Sequence, residues 1–210
     1  MMKLSLEADY WAGISIHKGS PEAGKGDCLT SVVSGKKTLS IHDLEKGDYY
    51  IHISTYDNKP QNTDFCLDAT VWLPPANDEC TDAVELTVNK DENCSNPTSG
   101  TVISATNTEK DYTCFGSADD DVWYSFKATQ TQHIVSISNV EGKNKDLAYG
   151  VFTGTCGKEL LKKSCSDMDT GLRLYDLVVG ETYYLQVYSY TAVRGQNTSF
   201  DICINSFPEK

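Results

Sequence analysis

Positive charge is scarce in this sequence: eighteen lysines and arginines stand against thirty aspartates and glutamates, for a net charge of −12 and a pI near 4.6. That balance disfavours partners held by a phosphate backbone or an anionic headgroup, so neither nucleic acid nor an anionic membrane surface is expected. The sequence also lacks any run approaching the roughly 20 apolar residues of a membrane helix, and no membrane insertion is expected. The N-terminus, Met1-Met2-Lys3-Leu4-Ser5-Leu6-Glu7-Ala8-Asp9, lacks the continuous apolar stretch of a signal peptide and turns acidic early. If the protein is secreted, its signal lies outside this sequence. Histidine is sparse and scattered, at His17, His42, His52 and His133, with no Gly-x-Ser-x-Gly elbow and no metal-binding pair. These four read as surface or interface residues, and no enzymatic activity is expected.

The eight cysteines, at positions 28, 66, 80, 94, 114, 156, 165 and 203, are an even set without the close paired spacings of a zinc finger or a redox motif. Disulfides, and hence an oxidising extracellular or cell-surface location, are the expectation.

Self-similarity organises the chain. Gly47-Asp48-Tyr49-Tyr50-Ile51-His52-Ile53-Ser54-Thr55-Tyr56 lies over Gly180-Glu181-Thr182-Tyr183-Tyr184-Leu185-Gln186-Val187-Tyr188-Ser189-Tyr190 with one residue dropped in the turn, and Gln61-Asn62-Thr63 matches Gln196-Asn197-Thr198. Upstream, Leu4-Ser5-Leu6 lies over Val135-Ser136-Ile137, Ile16-His17-Lys18-Gly19-Ser20 lies over Val151-Phe152-Thr153-Gly154-Thr155, and Cys28 falls near Cys165. The reading is a trailing half repeat at 1–74 followed by a complete repeat at 75–210, divided at the rigid Pro74-Pro75 step. The opening strands of the first repeat, on the order of 50 residues, have no counterpart in this sequence. Its uncovered strand edges are expected to favour a homo-oligomer or burial against the complete repeat, or else to mark a fragment of a longer tandem array.

Within each unit, short alternating runs rich in β-branched and aromatic residues are separated by Gly, Asn, Asp and Ser, which reads as strands. Strands are expected at 122–128, 134–138, 148–152, 172–177, 182–188 and 199–205, with one helical turn at 158–163. The fold class is all-β, an antiparallel sandwich or jelly-roll-like arrangement.

Three ordered motifs then carry a family resemblance: Pro74-Pro75-Ala76-Asn77-Asp78-Glu79-Cys80, Asp119-Asp120-Asp121-Val122-Trp123-Tyr124-Ser125-Phe126, and Gly180-Glu181-Thr182-Tyr183-Tyr184-Leu185-Gln186-Val187. Together they resemble the bacterial pre-peptidase C-terminal domain superfamily, in the cysteine-containing tandem version of secreted Bacteroidetes surface proteins. The resemblance implies a non-catalytic β-sandwich that engages a glycan, a matrix polymer or a protein or cell surface. It equally allows a structural spacer or folding aid of a secreted protease. Some relatives bind calcium.

The six cysteines of the complete repeat permit fifteen connectivities. The expected one joins Cys94 to Cys114, Cys156 to Cys165, and Cys80 to Cys203. Cys28 and Cys66 fall outside this scheme, with three alternatives: pairing with each other, remaining free, or bonding another chain.

Asp119, Asp120 and Asp121 place three carboxylates just before a strand. They read either as a calcium site, with Asp167 and Asp169 as further candidate ligands, or as a solvated, self-capped turn. On the strand from Thr182, alternation assigns Tyr183, Leu185 and Val187 to the core and Tyr184, Gln186, Tyr188 and Tyr190 to the other face. The same alternation turns Trp123 away from the core, and Tyr50, His52, Ser54 and Tyr56 repeat the outer stripe in the first unit. Flat aromatic faces with a polar edge suit a sugar ring or a peptide, so Trp123, Tyr184, Tyr188 and Tyr190 are the candidate ligand contacts. Cross-strand packing of the tyrosines is the alternative.

Overall fold

The computed structural model describes residues 1–8, 12–19, 27–33, 36–42, 44, 47–55, 62–108, 112–167, 171–193 and 196–207. The chain divides into two compact units, Met1–Leu73 and Pro74–Lys210. Strands dominate both, as the alternation predicts, and among the described residues no helix is long and apolar enough to cross a membrane.

The first unit contains β1 (Met2–Ala8), β2 (Ala12–Lys18), β3 (Asp27–Val33), β4 (Lys36–Ile41), β5 (Tyr49–Thr55) and β6 (Phe65–Val71). They form two antiparallel three-stranded sheets, ordered β4-β1-β6 and β3-β2-β5. Alternation in the two central strands supplies the core: Met2, Leu4 and Leu6 of β1 and Ala12, Ile14 and Ile16 of β2 are buried while their neighbours are not.

The second unit adds β7 (Val84–Glu85), β8 (Val88–Asn89), β9 (Thr98–Thr101), β10 (Val122–Lys127), β11 (His133–Glu141), β12 (Leu147–Thr155), β13 (Glu159–Asp167), β14 (Leu172–Leu174), β15 (Thr182–Ser189) and β16 (Ser199–Ser206). One sheet runs β13-β12-β15-β10-β7 and the other β14-β11-β16-β8, with β9 also pairing β16. All pairings are antiparallel except the short β10–β7 and β16–β8 contacts. Val122, Tyr124, Phe126, Tyr149, Val151, Leu185 and Val187 from the first sheet meet Val135, Leu174, Phe200, Ile202 and Ile204 from the second. Each such side chain stabilises the sandwich by about 1.5–3 kcal/mol relative to exposure. The segment expected to make a helical turn at 158–163 instead opens strand β13. Paired along β12, its side chains follow the sheet's period of two rather than a helical one.

Six strands follow one path in both units: β4-β1-β6 matches β14-β11-β16, and β3-β2-β5 matches β13-β12-β15. The registers agree residue for residue, Ile14 opposite Ile53 as Tyr149 is opposite Val187, and Ile16 opposite Ile51 as Val151 is opposite Leu185. A β-bulge follows Ile16 in one unit and Val151 in the other. Strands β7 to β10 have no counterpart among the described residues of the first unit.

This register also corrects the cysteine alignment. Cys165 corresponds to Ser31, whereas Cys28 occupies the position of Lys162. Cys28 and Cys66 are exposed on β3 and β6, which belong to different sheets, and they are not bonded to each other.

Candidate ligand-binding end of the second unit

The first two motifs of the second unit converge on one buried network. Asn77 brackets Trp123 as a strand neighbour would, its carbonyl accepting from the Trp123 amide at 2.8 Å and its Nδ2 donating to the Trp123 carbonyl at 2.8 Å. The Asp78 carboxylate accepts from both the amide and the hydroxyl of Thr106, each at 2.7 Å, and the Thr108 hydroxyl donates to the Asp78 carbonyl. Asp121 is wholly buried: Oδ1 accepts from the Thr108 amide at 2.9 Å, and Oδ2 from Trp123 Nε1 at 2.8 Å and Gln186 Nε2 at 3.0 Å. Burial pushes its carboxyl above the usual carboxylate range, and these donors oppose that push.

Asp120 sits in a second pocket of donors, accepting from the Ser189 amide at 2.9 Å and the Ser189 hydroxyl at 2.7 Å. Burial drives its pKa up to about 7, the Ser189 hydrogen bonds hold it down, and the neighbouring charges of Asp119 and Asp121 add to the rise. Asp120 and Asp121 turn inward to different donors, and the Asp119 amide donates to the Ser117 carbonyl. Among the described residues no three acidic, histidine or cysteine side chains gather to hold a metal. Asp167 ends β13, exposed, and Asp169 lies outside the described residues.

The outer aromatic stripe is not a surface. Trp123 and Tyr188 are fully buried and Tyr184 is half-buried; only Tyr190 remains exposed. Alternation does turn Trp123 away from the main core, but the outward face of its sheet carries a second, smaller core. There Trp123 packs with Phe152, Leu160 and the Cys80 sulfur, and Tyr112 stands edge-on to Trp123 at 6.1 Å and to Phe152 at 5.5 Å. The Tyr188 hydroxyl accepts from the backbone amides of Cys114 at 2.9 Å and Phe115 at 3.0 Å, so it anchors the covering loop. In the first unit Tyr50, His52 and Ser54 are exposed at the equivalent positions; Tyr56 and Gln61 lie outside the described residues.

All six expected cysteines are in disulfides, but with other partners: Cys80–Cys156, Cys94–Cys203 and Cys114–Cys165. The expectation joined cysteines close in sequence or at the two ends. The bonds instead tie the opening segment, at Cys80, Cys94 and Cys114, onto the turn after β12 and the strands β16 and β13, across separations of 76, 109 and 51 residues. Gly150 makes room for one of them, since a Cβ there would meet Cys114 Sγ at 2.9 Å. His133 is another correction, being buried rather than at the surface. Its Nε2 accepts from the amides of Thr129 and Gln130 and its Nδ1–H donates to the Asn205 carbonyl, with burial holding the imidazole pKa down.

At one end of the unit two rings meet solvent, and Tyr175, just after β14, is exposed as well. The turn after Cys114 rests on the strand end at Tyr190, the Ser117 amide donating to the Tyr190 carbonyl at 3.2 Å. Gly116, at φ +63°, lies so close to that carbonyl that a side chain could not fit. Tyr190 in turn donates its amide to Asp146 at 2.9 Å, and Thr191 Oγ1 accepts from Asn144 Nδ2 at 3.0 Å and Gln196 Nε2 at 3.2 Å. These bonds fix adjoining loops that present Phe115, 45 % exposed, and Tyr190, 37 % exposed, beside amide and hydroxyl groups. Phe115 escapes the strand-based reading because it lies in a turn. Its sequence signal is a bulky apolar residue between Cys114 and Gly116, where a turn would ordinarily be polar.

Residues 76–202 match the galactose binding domain-like family model of T9SS-associated proteins. The chain belongs to this family. The match agrees with a Bacteroidetes-type surface domain and with the β-sandwich, while the family is that of the galactose-binding-like domains rather than specifically the pre-peptidase C-terminal domains. No curated protein matches the chain. Among solved structures, one similar chain comes from "Structure of infectious bursal disease virus Gx strain", at 11% identity and a TM-score of 0.21, covering 97% of this chain and 54% of that one. This chain thus spans about half the length of the viral one, and a likeness so distant supports no conclusion about fold or function.

Proposed function

We propose that the second unit is a non-catalytic extracellular module that binds carbohydrate through the loop end carrying Phe115 and Tyr190. The observation that carries this reading is the pair of half-exposed rings on hydrogen-bonded loops beside Asn144, Thr191 and Gln196, in a galactose-binding-like domain. An aromatic face covers the apolar side of a sugar ring, and neighbouring amides and hydroxyls satisfy its hydroxyl groups. Three disulfides and the T9SS-associated family support an extracellular or cell-surface setting.

Glycan-array binding by the whole chain tests the proposal. The double variant Phe115→Ala/Tyr190→Ala is expected to lose at least 10-fold in affinity for whichever glycan the wild type retains, at an unchanged melting temperature. Tyr188→Ala would be the wrong probe, because it removes the anchor of the covering loop and reads stability rather than binding. A wild-type chain that binds no glycan, or a double variant that binds as the wild type does, would overturn the reading.

A further inference from the structure

The hydroxyl next to Tyr190 has a polarity that its neighbours fix. Thr191 Oγ1 lies 3.0 Å from Asn144 Nδ2 and 3.2 Å from Gln196 Nε2. Which end of a side-chain amide faces a partner is decided by the rest of its hydrogen bonds. Asn144 Oδ1 takes the Asp146 N–H at 3.2 Å, a group that can only donate, so Nδ2 is the end turned to Thr191. Gln196 Nε2 also meets the Val193 carbonyl, a group that can only accept, which makes this atom the nitrogen. Both amides are thus donors to Thr191 Oγ1. A hydroxyl has two acceptor lone pairs and one proton. With both lone pairs engaged, Thr191 keeps a single O–H to give, and among the described residues no protein acceptor receives it.

The surroundings hold this group in place. Gln196 is 7% exposed, Thr191 is half-buried, and the Thr191 carbonyl accepts from the Ser189 hydroxyl at 3.3 Å. We propose that the Thr191 hydroxyl is the specificity contact of the carbohydrate site, a donor unable to accept, which selects a sugar presenting a hydroxyl oxygen to it as acceptor. The proposal rests on the reading that Phe115 and Tyr190 bind carbohydrate. Its ligand class is a pyranose with a hydroxyl at the contacted carbon, whose oxygen takes the Thr191 proton and whose own proton faces elsewhere. A sugar with an ammonium there sets donor against donor. A sugar with no oxygen there strips water from the Thr191 O–H and returns nothing, leaving a polar group unpaired.

Calorimetric titration of the full chain with the methyl pyranosides of galactose, glucose, mannose and N-acetylglucosamine tests this. The sugar bound most tightly is compared with its monodeoxy and monoamino derivatives at each hydroxyl. At one position, removal of the oxygen and its replacement by an ammonium are each expected to weaken binding by about 10-fold. Thr191→Val is expected to bind the parent sugar about 10-fold more weakly and to bring both derivatives within about 2-fold of it. Thr191→Ser keeps the hydroxyl and is expected to keep the discrimination. The wild-type series needs no variant, so a destabilised Thr191→Val leaves the test intact. Two results would overturn the proposal while the carbohydrate reading stands, provided that Phe115→Ala/Tyr190→Ala still abolishes binding: an ammonium tolerated wherever the deoxy derivative fails, or discrimination that persists in Thr191→Val. Absence of binding to every pyranoside and to a glycan array would overturn both.

Discussion

Six strands of Met1–Leu73 and six of Pro74–Lys210 share their order, their register and even the position of a bulge, yet the two units are held together differently. In the second unit the opening segment closes both sheets on one side and covers an outer sheet face, so that Trp123, Phe152 and Tyr188 lie in subsidiary cores on the sheet tied by Cys80–Cys156 and Cys114–Cys165. In the first unit the same path relies on Met2, Leu4, Leu6, Ala12, Ile14 and Ile16, and the equivalent of the closed side is wet. The difference shows that strand order and alternation are enough for a two-sheet core, while burial of the edge and outer face depends on a segment distant in sequence.

Equivalent substitutions sharpen the comparison. Leu185→Ala is expected to destabilise the second unit by about 2–5 kcal/mol, whereas Ile51→Ala, at the same register position but half in solvent, is expected to cost the first unit less than about 1 kcal/mol. Denaturant unfolding followed by hydrogen exchange of each unit separates the two effects; equal costs would mean that β5 is covered in solution. Next in size, Cys94→Ser/Cys203→Ser removes a long-range closure and is expected to lower the stability of the second unit by about 2–4 kcal/mol, leaving β1 to β6 unchanged.

The smallest effect concerns a buried acid of the second unit, Asp120, which has no counterpart among the described residues of the first. Burial lifts the folded pKa of Asp120 to about 7, above the ordinary carboxylate value of 3.8, so the native state holds the proton that the unfolded chain releases. Its stabilising contribution is full below about pH 4 and is lost as the pH rises through 7. Asp121, raised by burial, acts in the same direction, while His133, lowered by burial, costs stability as the pH falls below its ordinary value. The difference between wild type and Asp120→Asn isolates one group: between pH 4 and pH 8 it should shift in favour of the variant by on the order of 1–3 kcal/mol. A pH-independent difference in melting temperature would show that Asp120 stays ionised.

Much of the fold was legible because a strand advertises its two faces every second residue. Leu185 and Val187, read as core, are fully buried, and the expected strands from Val122, Thr182 and Ser199 begin where they were placed. The candidate site was less legible for a physical reason that Trp123 and Tyr188 make plain. Alternation says which way a side chain points but not whether something covers it, and the covering loop is fixed through residues as distant as Asn77, Cys80 and Cys114. Cys165 held a hint, since a bonded cysteine on the outward face of a strand requires a second piece of chain above that face. Phe115 lay outside any strand pattern and became visible only as the exposed ring of a turn resting on Tyr190.

By itself, the sequence determined the all-β class and the set of six cysteines in disulfides, because each depends on local periodicity or on residue identity. Tertiary structure alone decided which cysteines meet, that Asp120 and Asp121 turn inward to Ser189, Thr108, Trp123 and Gln186, and that Tyr188 is buried where its counterpart Ser54 is exposed. Most of those outcomes rest on contacts between distant segments, Asp121 with Gln186, Asp120 with Ser189 and Cys94 with Cys203 at separations of 65, 69 and 109 residues, where the burial of one element depends on the placement of another and no local pattern records the result.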